Sequence, residues 1–135
     1  MIKIISVPAS SQGLHEFTGQ VEAVVHESGF KDGICTLFIQ HTSASLVIQE
    51  NADPSAWHDL ERWFNRLVKE DDPLYIHTTE GPDDMPAHIK AALTATSLSI
   101  PILNGSLSLG AWQGIFLWEH RHLRGHRQIV IHIAA

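Results

Sequence analysis

A segment that begins at Asp53 constrains the fold more than any other part of this sequence. Asp53 can cap a helix, and Pro54 would take the first helical position, where its missing backbone N–H is no loss. The residues that follow are apolar at helical spacing, namely Trp57, Leu60, Trp63, Phe64, Leu67 and Val68. This pattern predicts an amphipathic helix, and we interpret its two tryptophans as core residues.

Two further helices are predicted from shorter signals. Thr18 is the expected cap of a helix that runs to about Ser28, where Gly29 would stop it. Asp84 is the expected cap of another helix, with Pro86 in its first turn. The residues of these two helices that we expect to face the core are Val21, Val24, Val25, Ile89, Ala92 and Leu93.

The rest of the chain predicts strands. Asn104-Gly105 lies between two β-rich runs and is a strong signal for a two-residue hairpin turn. The other predicted strands span residues 2–7, 34–41, 45–49, 74–79, 113–121 and 127–133, and the last two are expected to pair across a loop that contains Gly125. This order of elements is not a regular βαβ series. The sequence therefore predicts an α+β fold with a mainly antiparallel sheet.

Length and composition indicate the class of protein. The 135 residues fit a single domain, residues 1–135, and 44% hydrophobic with 18% charged residues is a globular balance. A net charge of −6 argues against nucleic-acid binding and against a basic membrane-binding surface. The single cysteine, Cys35, suits a reducing compartment, and no apolar run approaches the roughly 20 residues of a membrane span. We therefore expect a cytoplasmic protein with neither nucleic-acid nor membrane partners.

Side-chain alternation places polar residues at the ends of two apolar rows. His41 shares a strand face with Cys35, Leu37 and Ile39, while Glu119 and Arg121 share one with Ile115 and Leu117. Charged groups at the rim of a core are costly unless they are paired or bind something. The two interpretations are a salt bridge between Glu119 and Arg121, or a functional site.

The densest polar stretch runs from His77 to His88. Asp84 and His88 are four residues apart and can share a helix face, and Glu80, Asp83 and Asp84 crowd three carboxylates around a Gly-Pro turn. A bound cation or a basic partner would relieve their repulsion. The alternative is a solvated acidic loop that ends in an ordinary helix cap.

A basic stretch, residues 120–127, follows the last apolar row and carries three arginines and three histidines. The planar fork of arginine suits phosphate or carboxylate, and His120 with His122 could hold a metal. A basic tip that complements the acidic stretch explains the same residues equally well. Standard catalytic motifs for zinc proteases, nucleotide binding and serine hydrolases are absent, and Cys35 lies mid-strand, which is a poor place for a nucleophile.

Three groups of residues follow one another at characteristic spacing. The first is Gln40-His41-Thr42-Ser43-Ala44-Ser45-Leu46, followed by Glu50-Asn51 and Asp53-Pro54. The second is Glu80-Gly81 with Asp83-Asp84-Met85-Pro86-Ala87-His88-Ile89-Lys90. The third is Ile100-Pro101, Gly105, Leu109-Gly110, Trp112-Gln113, Glu119-His120-Arg121 and Arg127. From about residue 36 to 131 the chain thus resembles the YjbQ family, small proteins often labelled secondary thiamine-phosphate synthases.

The resemblance implies an α+β fold with a β-sandwich and two to three helices, assembled as a homotrimer with pockets near the subunit contacts. It also implies a weak thiamine-phosphate synthase activity at a site that binds metal and phosphate. That reaction joins an aminopyrimidine diphosphate to a thiazole phosphate and releases pyrophosphate. The expected ligand is therefore a phosphorylated small molecule.

The resemblance also suggests a role for each candidate residue. Three imidazoles with an open fourth position are typical of a catalytic site for zinc or a similar divalent ion, such as magnesium, and the candidates are His41, His77 and His88. Asp84 would be a further ligand or would orient one, Arg121 would neutralise phosphate charge, and Glu119 would orient Arg121 or act as general base. The candidate substrate-binding residues are Thr42, Ser43, Asn51, Gln113 and Arg127.

Two other functions could use the same residues. One is a non-catalytic trimer whose pocket senses a phosphorylated metabolite or a metal. The other is a metal-dependent hydrolase, which a three-histidine site would serve equally well. Tight binding without turnover favours the first, and metal-dependent release of phosphate from generic esters favours the second.

Overall fold

The computed structural model describes residues 1–135 and contains two antiparallel sheets and three helices. The strands are β1 (Ile2–Ala9), β2 (Gly13–Glu16), β3 (Gly33–Ile39), β4 (Ala44–Glu50), β5 (Ser97–Leu103), β6 (Ser106–Leu107), β7 (Gln113–Glu119) and β8 (Gly125–Ala134). The helices are α1 (Thr18–Ser28), α2 (Pro54–Leu67) and α3 (Asp84–Leu93). One sheet has the strand order β1-β8-β3-β5-β6 and the other β2-β7-β4. The predicted α+β fold is confirmed.

The main core lies between the two sheets. Strands alternate apolar residues toward it, as Ile129, Ile131 and Ile133 do on β8, because residues two apart share a strand face. Helix α1 contributes the three predicted valines, which are all buried in the same cluster. Both sheets supply side chains to this cluster, so its burial holds them face to face.

A second, smaller core covers the other face of the three-stranded sheet. Phe116 and Trp118 of β7 pack there against Phe64 and Val68, and the Trp57 ring meets the edge of Phe116 at 5.3 Å. Strand β7 is consequently buried on both faces from Gly114 to Glu119. This double burial is what carries polar residues at its end into the interior.

The stripe on α2 is narrower than predicted. Phe64 is buried and Trp57 is half-buried, but Trp63 is 51% exposed and stacks on Phe64 with ring centroids 6.1 Å apart. The prediction that both tryptophans are core residues is therefore wrong for Trp63. The sheet beneath α2 has only three strands, so it covers one narrow strip of the helix.

Local capping signals were partly correct. Asp53 caps α2 by accepting a hydrogen bond from the Ser55 backbone N–H at 2.9 Å, and Gly29 ends α1 in the left-handed conformation at φ 73°. Thr18 and Asp84, however, lie inside their helices, and the caps are Phe17 and Asp83. The Thr18 hydroxyl instead accepts a hydrogen bond from the β7 backbone, at the Ile115 N–H.

Helix α3 turns a different face inward than predicted. Ala87, Lys90 and Ala91 are buried, whereas Ala92 is exposed and Leu93 is 61% exposed. The predicted inward positions were therefore wrong for Ala92 and Leu93. None of the three helices has both the length and the apolar character that a membrane crossing requires.

The strand predictions failed where partner choice matters. The hairpin at Asn104-Gly105 is confirmed, with φ values of 52° and 82° that suit a two-residue hairpin turn. Residues 113–121 and 127–133 do not pair, because β7 and β8 belong to different sheets. Residues 74–79 form no strand, since they have no neighbouring strand, and Leu74 and Ile76 are 85% and 96% exposed. Strand β2 was not predicted.

Candidate functional site

Four side chains with metal-binding atoms converge at the start of α3. Asp84 and His88 lie one turn apart on the helix, and the segment before it brings His77 and Glu80 to the same point. One ligand atom from each residue lies within 4.8 Å of all the others. We call these four residues the metal cluster.

Asp84 is the centre of the metal cluster. Its side chain is 3% exposed, and its Oδ2 lies 2.8 Å from His77 Nε2 and 3.0 Å from His88 Nε2. Burial by itself raises the pKa of Asp84, but the hydrogen bond with His77 and the charges of His88 and Arg121 outweigh it and lower the pKa. The cluster is therefore built around an ionised, buried carboxylate.

The two ring nitrogens of His88 both face acceptors. Nδ1 donates to the Thr42 carbonyl oxygen at 2.8 Å, and Nε2 faces the Asp84 carboxylate. A neutral imidazole carries one N–H, so this arrangement requires either an imidazolium or a cation between Nε2 and Asp84. Histidines that bind a metal through Nε2 commonly donate their Nδ1–H to a backbone carbonyl, as His88 does to Thr42.

The chemistry of these donors fits a transition metal. Two imidazole nitrogens beside carboxylate oxygens suit zinc, whereas magnesium and calcium prefer oxygen ligands alone. His77, Asp84 and His88 are the better-placed donors. Glu80 is exposed, with Oε2 3.9 Å from His77 Nε2, and would be a fourth.

His41 is not brought to the metal cluster. Its Nε2 accepts a hydrogen bond from the Gln128 backbone N–H at 2.8 Å, and its Nδ1 lies 3.3 Å from Arg127 Nη1. Burial first and the Arg127 charge second lower the pKa of His41, so the ring is neutral. In place of three imidazoles, two imidazoles and two carboxylates converge.

Glu119 and Arg127 form a buried ion pair beside the metal cluster. Arg127 Nε donates to Glu119 Oε1 at 2.7 Å, and Arg127 Nη2 donates to Ser43 Oγ at 2.9 Å. The salt bridge that we considered between Glu119 and Arg121 is not formed, because only the Arg121 backbone N–H reaches Glu119, at 3.2 Å. Arg127, on β8, reaches across to the end of β7 instead.

Arg121 binds the acidic side of the site. Its Nη2 donates to Asp83 Oδ1 at 3.1 Å and to the Glu80 carbonyl oxygen at 2.6 Å, and its Nη1 lies 3.5 Å from Asp84 Oδ1. The hydrogen bond with Asp83 raises the pKa of Arg121. The same bond, with that from the His122 backbone N–H, lowers the pKa of Asp83 against the opposing effect of its own burial.

The charges of the site favour a cation. Four carboxylates surround it, from Glu80, Asp83, Asp84 and Glu119, while two guanidinium groups oppose them and are already paired with these carboxylates. An anion that entered alone would therefore meet net negative charge. A cation bound in the site would reduce this repulsion.

The predicted substrate-binding residues divide into two groups. Thr42 and Ser43 lie beside the metal cluster through their contacts with His88 and Arg127. Asn51 and Gln113 lie at the opposite end of the three-stranded sheet, because Gln113 is six residues before Glu119 on β7, roughly 20 Å at 3.3 Å per residue. The structure does not bring them to this site.

The burial of two polar residues, His120 and Lys90, was not predicted from the sequence, which offered His120 only as a possible metal ligand together with His122. His120 is 1% exposed, contacts Ser45 Oγ through Nε2 at 2.9 Å, and has a pKa lowered by burial to about 3. Lys90 is buried above the Phe64 ring and donates to the Asn65 side-chain oxygen. The available signal for His120 was the run of apolar residues before it, which predicts a strand buried on both faces.

The fold and site define an α+β protein with a histidine-carboxylate cluster between a helix N-terminus and the edge of a sheet sandwich. Residues 3–135 match the family model described as UPF0047 protein YjbQ-like. The chain therefore belongs to the YjbQ/UPF0047 family, and the resemblance read from its sequence is confirmed.

Named relatives and solved structures agree with this membership. The UPF0047 protein sll1880 of Synechocystis is 53% identical over 132 residues, which cover 98% of this chain and 90% of that protein. UPF0047 protein YjbQ of Escherichia coli O157:H7 is 43% identical, with 95% and 93% covered. The crystal structure of an uncharacterized conserved family protein from Clostridium acetobutylicum matches with a TM-score of 0.89 at 33% identity, covering 98% and 99%. None of these names states a reaction.

Proposed function

We propose that this protein binds a zinc-type divalent ion at His77, Asp84 and His88, with Glu80 as a fourth ligand, and uses it to bind a phosphorylated small molecule. The observation that carries the proposal is the buried Asp84 carboxylate, which faces two imidazole Nε2 atoms at 2.8 and 3.0 Å. Unprotonated imidazoles are metal ligands, whereas protonated ones would repel a bound cation. The excess of carboxylates supports entry of the cation first.

The chain's own groups would then hold the phosphate and the cluster in place. The metal, when bound, would offset the charge of a diphosphate and stabilise it as a leaving group. Arg121 Nη1 has only a long contact, 3.5 Å, to Asp84 and can donate to a phosphate oxygen. Arg127 holds Ser43, and the adjacent Thr42 carbonyl orients His88, so the ion pair with Glu119 positions a ligand without contacting substrate.

The activity proposed for this site is a weak thiamine-phosphate synthase reaction. The thiazole nitrogen would attack the methylene carbon of the aminopyrimidine diphosphate, the C–O bond would break, and pyrophosphate would leave with its electron pair. This coupling requires little proton transfer. It therefore needs mainly charge stabilisation at the diphosphate, which Arg121 and a bound cation would supply.

Metal binding is tested by the variant Asp84→Asn with Asp59→Asn, on the exposed face of α2, as its matched control. We expect near-stoichiometric zinc by elemental analysis in the wild type and the control, and an affinity about 100-fold lower or worse in Asp84→Asn. Zinc at 100 times its Kd should also stabilise the wild type by about 2.7 kcal/mol. Equal zinc content in both variants would contradict the proposal.

Turnover is tested on the zinc-loaded and zinc-free wild type with aminopyrimidine diphosphate and thiazole phosphate. Zinc-dependent thiamine phosphate formation that His88→Ala removes and His58→Ala, an exposed control on α2, retains would support the synthase. Metal-dependent phosphate release from a generic ester without coupling would replace it with a hydrolase. Tight ligand binding without either product would replace it with a non-catalytic binder.

We also propose that the chain assembles as a homotrimer. The outer face of the five-stranded sheet has nothing packed on it, and Ile4, Ile34 and Phe38 lie exposed there. Such an apolar face is typical of a subunit contact. Light scattering should give three times the chain mass of 15.0 kDa, and Phe38→Glu should lower that value. A monomeric wild type would contradict the proposal.

A cytoplasmic location is the remaining part of the proposal. The lone cysteine, Cys35, is free and buried in the core, which suits a reducing compartment. Cell fractionation that recovers the protein outside the cytoplasm would refute this.

A further inference from the structure

A small cavity of about 130 Å³ lies between the end of α2, helix α3 and the residues that follow β7. None of the four residues of the metal cluster lines it. Its floor consists of buried residues, namely Val68, Asp83, Pro86, Lys90 and His120, whereas Glu70 at its opening is exposed. A polar group in such a floor needs a partner, either in the protein or in the cavity.

Lys90 is a buried cation without a counter-charge. The residue is 3% exposed, and no carboxylate oxygen lies within 4.0 Å of its Nζ. Its one side-chain hydrogen bond goes to the Asn65 side-chain oxygen, and the centre of the Phe64 ring lies 5.6 Å from Nζ. An ammonium group has three N–H donors, so at least one has no partner in the protein. Lysines are almost never fully buried unless they are paired.

The amide groups around Lys90 are already paired with one another. Asn65 Nδ2 donates to Gln12 Oε1 at 3.1 Å, and Gln12 Nε2 donates to the His120 carbonyl oxygen at 3.0 Å. This chain of hydrogen bonds leaves the Asn65 oxygen to Lys90 and fixes the ammonium group in the wall of the cavity. Lys90 is therefore held where a ligand can accept from its remaining N–H groups.

The other polar groups of the floor leave Lys90 as its one unpaired charge. Asp83 accepts hydrogen bonds from Arg121 Nη2 at 3.1 Å and from the His122 backbone N–H at 2.8 Å. His120 is neutral, because burial lowers its pKa to about 3. Its Nε2 has a partner at 2.9 Å, whereas no hydrogen bond within the protein involves its Nδ1. The floor thus presents one unpaired positive charge and one further polar nitrogen without a partner.

The charges and walls of the cavity favour a small anion with a single charge. One ammonium group balances one negative charge, and the carboxylates of Asp83 and Glu70 would repel a second. A phosphate group carries about two negative charges at neutral pH and is therefore disfavoured. Val68 and Pro86 are buried apolar walls that suit a short alkyl group. The cavity volume is close to the roughly 150 Å³ that holds one benzene molecule, so the alkyl group must be short.

We propose that this cavity binds a short-chain monocarboxylate. Its carboxylate accepts a hydrogen bond from Lys90 Nζ and neutralises the buried ammonium group, and its alkyl group lies against Val68 and Pro86. The site shares no residue with the metal cluster. It is therefore a second site, which does not depend on the proposed function.

Calorimetry in the presence of EDTA, which keeps carboxylates from binding through a metal, tests the inference with acetate, propionate and inorganic phosphate at equal ionic strength. Propionate should bind about fourfold tighter than acetate, because it buries one more CH₂ group, and at least tenfold tighter than phosphate. Lys90→Met, which keeps the chain length without the charge, should weaken propionate at least tenfold. Lys69→Met, at an exposed lysine near the end of α2, is the matched control and should bind like the wild type.

A second variant leaves the buried floor intact. Glu70→Lys changes an exposed residue at the opening and should tighten propionate about fivefold, whereas Glu22→Lys, an equal change of net charge on the exposed side of α1, should not. Equal affinity in these two variants would overturn the site even if Lys90→Met does not fold. A wild type that binds no propionate, or that binds phosphate more tightly, would overturn it as well. Equal affinity of the wild type and folded Lys90→Met would assign Lys90 a structural role only, satisfied by Asn65 and Phe64.

Discussion

Replacing Arg127 by methionine is the most informative test of how the interior of this site is built. The side chains of Arg127 and Glu119 are 13% and 3% exposed. Both side-chain hydrogen bonds that the Glu119 carboxylate accepts come from Arg127. Methionine has a similar length but no charge. The variant Arg127→Met therefore leaves Glu119 buried with a single donor, the Arg121 backbone N–H.

The expected loss follows from the cost of an unpaired buried charge. Removing one partner of a buried ion pair costs about 3–5 kcal/mol, and the loss of the Ser43 contact belongs to the same change. For a chain of 135 residues, 1 kcal/mol shifts Tm by roughly 3–5 °C, so Tm should fall by roughly 9–25 °C. The double variant Glu119→Gln/Arg127→Met removes the unpaired charge and should recover about 1–3 kcal/mol of this loss.

Urea denaturation followed by tryptophan fluorescence measures the free energies of unfolding, and thermal denaturation measures Tm. Arg62→Met, on the exposed side of α2, is the control. Because Arg127 donates to Ser43, and the carbonyl of the adjacent Thr42 accepts from His88 Nδ1, zinc affinity should fall in Arg127→Met as well, by about tenfold. A loss within about 1 kcal/mol of the Arg62→Met value would refute the reasoning. A double variant no more stable than Arg127→Met would refute the assignment of the loss to the buried charge.

Three further predictions concern single residues. Burial holds the folded-state pKa of His120 at about 3 against an ordinary value of 6.5, so the unfolded chain takes up a proton first as pH falls, and stability should drop by about 2 kcal/mol from pH 7 to pH 5. Urea titrations at both pH values should show a clearly smaller drop in His120→Gln, and an equal drop would contradict this origin. Burial raises the pKa of the Cys35 thiol to about 11, so Ellman's reagent at pH 8 should label it only on unfolding; rapid labelling of the native protein would oppose this. Asp53→Ala should cost about 1 kcal/mol in urea denaturation because it removes the cap of α2, whereas Asp59→Ala should cost less than half of that.

Elements that depend on a few neighbouring residues were predictable. The cap at Asp53, the stop at Gly29 and the turn at Asn104-Gly105 each follow from the conformational preference of one or two residues. The pairing of Asp84 with His88 is of the same kind, because residues four apart on a helix always share a face. The sequence by itself therefore determined most element positions and half of the metal cluster.

The choice between chemically equivalent partners was not predictable. Two arginines and several carboxylates could pair in more than one way, and only the tertiary structure assigns Arg127 to Glu119 and Arg121 to Asp83. Which carboxylate each arginine reaches depends on strands β7 and β8 lying in separate sheets, and no local sequence pattern encodes that long-range arrangement.

The position of His41 has the same physical reason. Alternation along β3 placed His41 at the rim of the core. The strand, however, ends at Ile39, and the Gln128 backbone N–H on β8 donates a hydrogen bond to His41 Nε2. Local preferences act over a few residues, whereas which distant groups meet depends on how the sheets pack. The sequence thus determined which chemistry the chain carries, and only the tertiary structure decided that two histidines and two carboxylates share one point.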